Sequence, residues 1–233
     1  MQSCNPAMMD IAARLGGVKF AQYQRLFGFG SKTGIDLPSE ENGIIKKSDM
    51  SETDVATNAF GQNINVTMIQ MGAAFSSLIN GGNYYQPHIV KRIEKDTGEV
   101  VKTFEPTLVR QTVTASTSQL LRKYLKSTVD DGLAKKAGVT GYSIGGKTGT
   151  AQESQKRGNH AFFISFAPYE NPEISVTVSI PNGYSSSNSR HTRLTVKIVP
   201  NRPYRQGSPP TRTYPERCNK YNARQGQKQT CLN

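Results

Sequence analysis

Ten residues of this 233-residue chain concentrate groups able to do chemistry: Gly141 to Thr150, where Lys147 and the hydroxyls of Thr148 and Thr150 stand among glycines. Two incompatible machines use such a string. Read as Gly141-x-x-x-x-Gly146-Lys147-Thr148, it fits the phosphate-cradling loop of nucleotide-binding proteins. Read as a strand through Lys147-Thr148-Gly149, it fits the third motif of a serine acyl-transferase site. A phosphate loop needs a buried strand before the glycines and a helix that begins at the lysine. The preceding Lys135 to Thr140 is short and polar, and Gly149 is followed by a charged stretch, Gln152 to Asn159, with no helical period. An aspartate for magnesium is also wanting, because the apolar run 174–180 ends in Pro181-Asn182. Context favours the strand and leaves a P-loop nucleotide-binding protein as the weaker alternative.

A second cluster supports the strand. Ser3-Cys4-Asn5 stands directly before a helical stretch and fits Ser-x-Asn, the middle motif of the same kind of site. No cofactor or metal is expected: Cys4, Cys218 and Cys231 form no Cys-x-x-Cys pair and no Cys/His cluster of zinc spacing, and no disulfide is expected either. His160 reads as a strand-end histidine rather than a general base.

The elements that must position these groups follow from periodicity. Residues 5–15 read as a helix with Pro6 in its first turn and Gly16-Gly17 beyond its end. Residues 18–27 continue helically, with Phe20, Tyr23 and Phe27 along one face. Residues 31–50 are irregular. Ser51 and Asp54 cap a short helix before Gly61, and Thr67 with Gln70 forms a capping box for a helix over 67–80 that Gly81-Gly82 stops. Residues 88–94 and 99–104 read as a hairpin around Asp96-Thr97-Gly98. Ser116 with Gln119 opens a further helix to about Asp131, with Leu121, Leu125 and Val129 on one face. Then come a two-sided apolar strand, His160 to Ala167, and an alternating one, 174–180. The alternation places Ile174, Val176, Val178 and Ile180 inward and Ser175, Thr177 and Ser179 outward. With 143–150 also extended, the fold class is α+β: an antiparallel sheet packed with helices.

Composition separates a body from a tail. Ten of the 29 Lys and Arg residues lie in 184–233, against one acidic residue, Glu216, so most of the net +12 belongs to the tail. Only Leu194–Val199 shows strand periodicity there. We read the break as a reading-frame change near Asn188, which translation of the other two frames would test. The domains expected are therefore 1–188 and a basic, low-order 189–233. A noncatalytic basic nucleic-acid-binding module is the rival functional class, although the tail lacks the aromatic platforms of specific binding.

Ser-x-Asn at 3–5, FGFGSKTGIDLPSE at 27–40, the Gly61-Gln62 turn, the small-residue helix before Gly81-Gly82, and GGKTGTAQ at 145–152 occur in this order. Together they resemble the transpeptidase domain of a class B penicillin-binding protein over residues 2–188, a penicillin-binding-protein/serine β-lactamase-like fold. The resemblance implies acyl transfer from the D-alanyl-D-alanine end of peptidoglycan stem peptides through a serine acyl-enzyme, trapped by β-lactams. It gives Lys147, Thr148, Gly149 and Thr150 to substrate holding, with Lys147, Ser3 and Asn5 as the catalytic set. Ser3 would relay protons, Asn5 hold a substrate amide or the missing lysine, and the backbone N–H near Thr150 form half of an oxyanion hole. No specific nucleic acid is expected as a partner.

The sequence also departs from the pattern. The nucleophile of the family lies in Ser-x-x-Lys upstream of Ser-x-Asn, yet only Met1 and Gln2 precede Ser3, and no serine here is followed three residues later by lysine. This chain is expected to be inactive alone. The parent would sit on the extracytoplasmic face of the cell membrane through an anchor this sequence lacks.

Overall fold

A computed structural model describes residues 3–46, 50–152 and 159–181, and the backbone of 195–200. The chain divides into two units, Met1–Pro203 and Tyr204–Asn233, the second outside the described residues. The expected tail therefore lies outside them too, apart from its one strand.

Local signals place the first helices. α1 (Asn5–Leu15) has Pro6 in its first turn and ends at Gly16, and α2 (Gly17–Leu26) follows directly. α3 (Glu52–Ala59) starts at the Ser51–Asp54 box and α4 (Met68–Ile79) at the Thr67–Gln70 box, both closed reciprocally as the letters predict. Gly82 then turns the chain at φ 96°, where any Cβ would collide with the Val113 carbonyl, so only glycine fits.

Two small sheets follow. β1 (Asn83–Tyr85) pairs with β4 (Leu108–Gln111), and β2 (Arg92–Glu94) pairs with β3 (Val100–Thr103) as the expected hairpin around Gly98. α5 (Ala115–Asp130) leads through a short 3-10 turn to the main sheet. That sheet holds β5 (Gly145–Gln152), β6 (Asn159–Ala167), β7 (Ile174–Ile180) and β8 (Thr195–Pro200), all antiparallel and in chain order. β8 is the strand expected near 194–199, and it joins β7 as a fourth member.

The core forms where α4 lies on β6. Phe75 and Ile79 meet Ile164 and Phe166, with the two phenylalanine rings 6.1 Å apart and tilted by 54°. Each such buried side chain contributes roughly 2–3 kcal/mol. α5 packs along β5 from the other end.

Three expectations need correction. The helix after β4 is capped by Thr114, not Ser116: the Thr114 hydroxyl accepts from the Thr117 N–H, and Ser116 lies inside the helix. In α2 the buried residues are Ala21 and Gln24, and Tyr23 is 48% exposed: the side toward α3 is the one from which Gln24 donates to Asn58. The facing of β7 is reversed. Ser175 and Thr177 are fully buried while Ile174 is 44% exposed, and Ser76 of α4 meets the buried face, its Oγ 3.1 Å from Ser175 Oγ.

Candidate active site

Lys147 is the third residue of β5, which forms the outer edge of the main sheet. Its register partner is Ile164, so it shares the sheet face on which α4 packs. Thr148 and Thr150 pair with Phe163 and Ala161 and so alternate to the opposite face. Because β5 is an edge, both faces border the same open row of backbone groups. Gly145 allows this strand to lie close: a Cβ there would sit 2.5 Å from the Phe166 ring and 3.3 Å from the Lys126 backbone nitrogen of α5.

The fold brings Ser3 to this lysine. Lys147 Nζ donates to Ser3 Oγ at 3.0 Å, across 144 positions of sequence, and to the Thr148 carbonyl at 2.7 Å. Burial pushes the Lys147 pKa down, since the half-buried ammonium loses water that two neutral acceptors only partly replace. Ser3 itself has φ 53°, a left-handed conformation that costs a non-glycine residue about 1–2 kcal/mol. Its hydroxyl does not cap the helix: Cys4 is the N-cap of α1, and no side chain makes a capping bond. Asn5 opens α1 as an exposed residue with no side-chain hydrogen bond to a described residue. Ser3, Lys147 and the Thr148 backbone are thus joined, and among the described residues no side-chain hydrogen bond joins Asn5 to them.

The strand that continues through Thr148 to Gln152 excludes a P-loop, because no helix starts at the lysine. Among the described residues no group of three His, Cys, Asp or Glu side chains converges as a metal site would require. His160 is the second residue of β6, in register with Ala151.

Sequence reading left the acidic residues of 27–40 without a role. Glu40 accepts from the Thr33 N–H and hydroxyl at 2.7 and 2.5 Å and from the Gly34 N–H at 3.0 Å. Burial raises its pKa, but these donors outweigh the rise and hold it below the usual range. Asp36 accepts from the Val90 and Ile89 N–H groups, which lower its pKa, and so ties this loop to residues 88–90. Fully buried Gln70 donates to the Ser31 and Asn42 carbonyls. These side chains hold the loop in place. Their partners lie up to 54 residues away, beyond any local signal.

The sequence matches the family described as the penicillin binding protein transpeptidase domain over residues 1–199. The chain belongs to this family. Penicillin-binding-protein relatives include stage V sporulation protein D of Bacillus subtilis, 42% identical over 187 residues, which cover 77% of this chain and 29% of that protein. The peptidoglycan D,D-transpeptidase MrdA of Acinetobacter baumannii is 27% identical over 207 residues, 78% of this chain and 31% of that one. Among solved structures, penicillin-binding protein 3 of Mycobacterium tuberculosis, complexed with aztreonam, superposes with a TM-score of 0.73 at 26% identity, over 79% of this chain and 46% of that one. The α+β architecture is that of this family. This penicillin-binding-protein chain spans less than a third of the curated relatives above. No helix among its described residues is long and apolar enough to cross a membrane.

Proposed function

We propose that this chain is the substrate-holding part of a class B D,D-transpeptidase. It binds the D-Ala-D-Ala end of peptidoglycan stem peptides, and the β-lactams that mimic it, along the open edge of β5. The observation that carries this reading is the 3.0 Å contact between Lys147 and Ser3 at the edge of the sheet. A half-buried ammonium beside a bare strand suits an extended peptide that ends in a carboxylate: the edge supplies backbone pairing and the charge selects the terminus. In this reading the Thr148 and Thr150 hydroxyls donate to the carboxylate, and Gly149 keeps the edge clear. An N–H near Thr150 faces the developing oxyanion, Ser3 passes a proton to the leaving amine, and Asn5 holds a substrate amide.

No serine of these 233 residues is followed three residues later by lysine, so the chain by itself forms no acyl-enzyme. Residues 1–188 would carry the site and 189–233 none of it, and the parent protein would work at the extracytoplasmic face of the membrane. Two measurements on the purified chain test the reading. A fluorescent penicillin is expected to leave no covalent label, and an acylated Lys-D-Ala-D-Ala peptide to bind saturably in calorimetry. Stable labelling would overturn the predicted inactivity, and no saturable binding would overturn the substrate.

A further inference from the structure

β5 has a positioning problem. It is an edge strand with one neighbour, β6, and it opens with Gly145-Gly146, which bring no side chains to anchor it. Lys147 stands only two residues further on, so any slack at the start of the strand reaches the ammonium directly.

The slack is taken up one step upstream. The Tyr169 N–H donates to the Ser143 carbonyl at 2.9 Å and to Ser143 Oγ at 3.2 Å. Ser143 Oγ in turn donates to Glu170 Oε1 at 3.1 Å. Tyr169 and Glu170 belong to the β6–β7 turn, and α5 grips that turn from the other side: Arg122 Nη1 donates to the Glu170 carbonyl at 2.9 Å and to the Tyr169 carbonyl at 3.4 Å. The Lys126 ammonium stands 5.7 Å from the centre of the Tyr169 ring. α5, the β6–β7 turn and the entry to β5 are thereby closed into a triangle. Its corners are 47 and 26 residues apart in sequence.

We propose that Ser143, with Glu170 and Arg122, is the positioning device that fixes β5 where Lys147 meets Ser3. The inference rests on the reading of β5 as the substrate strand. None of the three residues touches the ammonium; they act on it through the strand.

The test compares the full chain with Ser143→Ala and Ser143→Thr, following the Lys147 side chain by NMR titration, its resonance assigned by its loss in Lys147→Met. Ser143→Ala is expected to loosen the strand start, moving the Lys147 titration up toward that of a solvated lysine. It should also weaken binding of an acylated Lys-D-Ala-D-Ala peptide about fivefold, one hydrogen bond's worth. Ser143→Thr restores the hydroxyl and both readouts. A Ser143→Ala chain that is less stable but whose Lys147 titrates as in the wild type overturns the proposal. If Ser143→Ala does not fold, Glu170→Ala, which removes only an exposed acceptor, is read the same way. If the wild-type chain binds no peptide at all, the substrate reading falls, and the titration alone decides the positioning role.

Discussion

Burying the Lys147 ammonium costs the fold stability, and that cost depends on pH. Burial puts its folded-state pKa below the ordinary 10.5, so the unfolded chain binds more protons across the window between the two values. Stability therefore rises with pH through that window, and the cost is fully present below it. Lys147→Met is expected to stabilise the chain by about 0.5–1 kcal/mol in urea unfolding at pH 7, the usual scale for relieving a strained functional site. The gain should shrink as pH climbs past the folded-state pKa. The same variant should bind the acyl-peptide more weakly by about 2 kcal/mol, on the order of thirtyfold, because the carboxylate loses its charged partner. A Lys147→Met chain less stable at pH 7 would contradict the burial argument. Ser3 holds a left-handed backbone while its hydroxyl accepts from the Lys147 ammonium.

At the scale of elements, what was legible was what is local. The Ser51–Asp54 and Thr67–Gln70 boxes close over three residues, so the letters suffice. Where two cap candidates stood two residues apart, Thr114 won over Ser116, a choice the spacing does not make. β1 and β4 were not legible, because each is only three or four residues long and their partnership spans the β2–β3 hairpin. Alternation in β7 gave the period but not the sign. The sign depends on the packed helix, and α4 sets Ser76 against Ser175 of the sheet. That reversal leaves Thr177 fully buried, with no hydrogen-bond partner for its hydroxyl among the described residues. Thr177→Val keeps the volume and removes the stranded hydroxyl, so denaturant unfolding should show a gain of about 1 kcal/mol. A loss of similar size would mean that the hydroxyl is satisfied and the facing misread. Ser175 behaves oppositely, since its replacement would strand Ser76 across the 3.1 Å contact.

For the whole molecule, the proposed function turns on the relation between a holding surface and an attacking group. Lys147, Ser3 and the bare edge of β5 converge here, yet Ser-x-x-Lys occurs nowhere in the 233 residues. Groups of a catalytic unit act together: under the proposed function, this binding strand without a Ser-x-x-Lys nucleophile would keep affinity and lose almost all turnover. The division predicts complementation. The curated relatives are more than three times as long as the stretch matched here, and under the proposed function the part of stage V sporulation protein D outside that stretch is the donor to test. Mixed with this chain, it should yield fluorescent-penicillin labelling on the donor's serine, with neither part labelled alone. Lys147→Met in this chain should abolish the label, because the acylated serine would then lack the ammonium that holds the β-lactam carboxylate. Labelling that survives Lys147→Met would show that the donor segment acts alone and that the edge of β5 plays no part in holding the ligand.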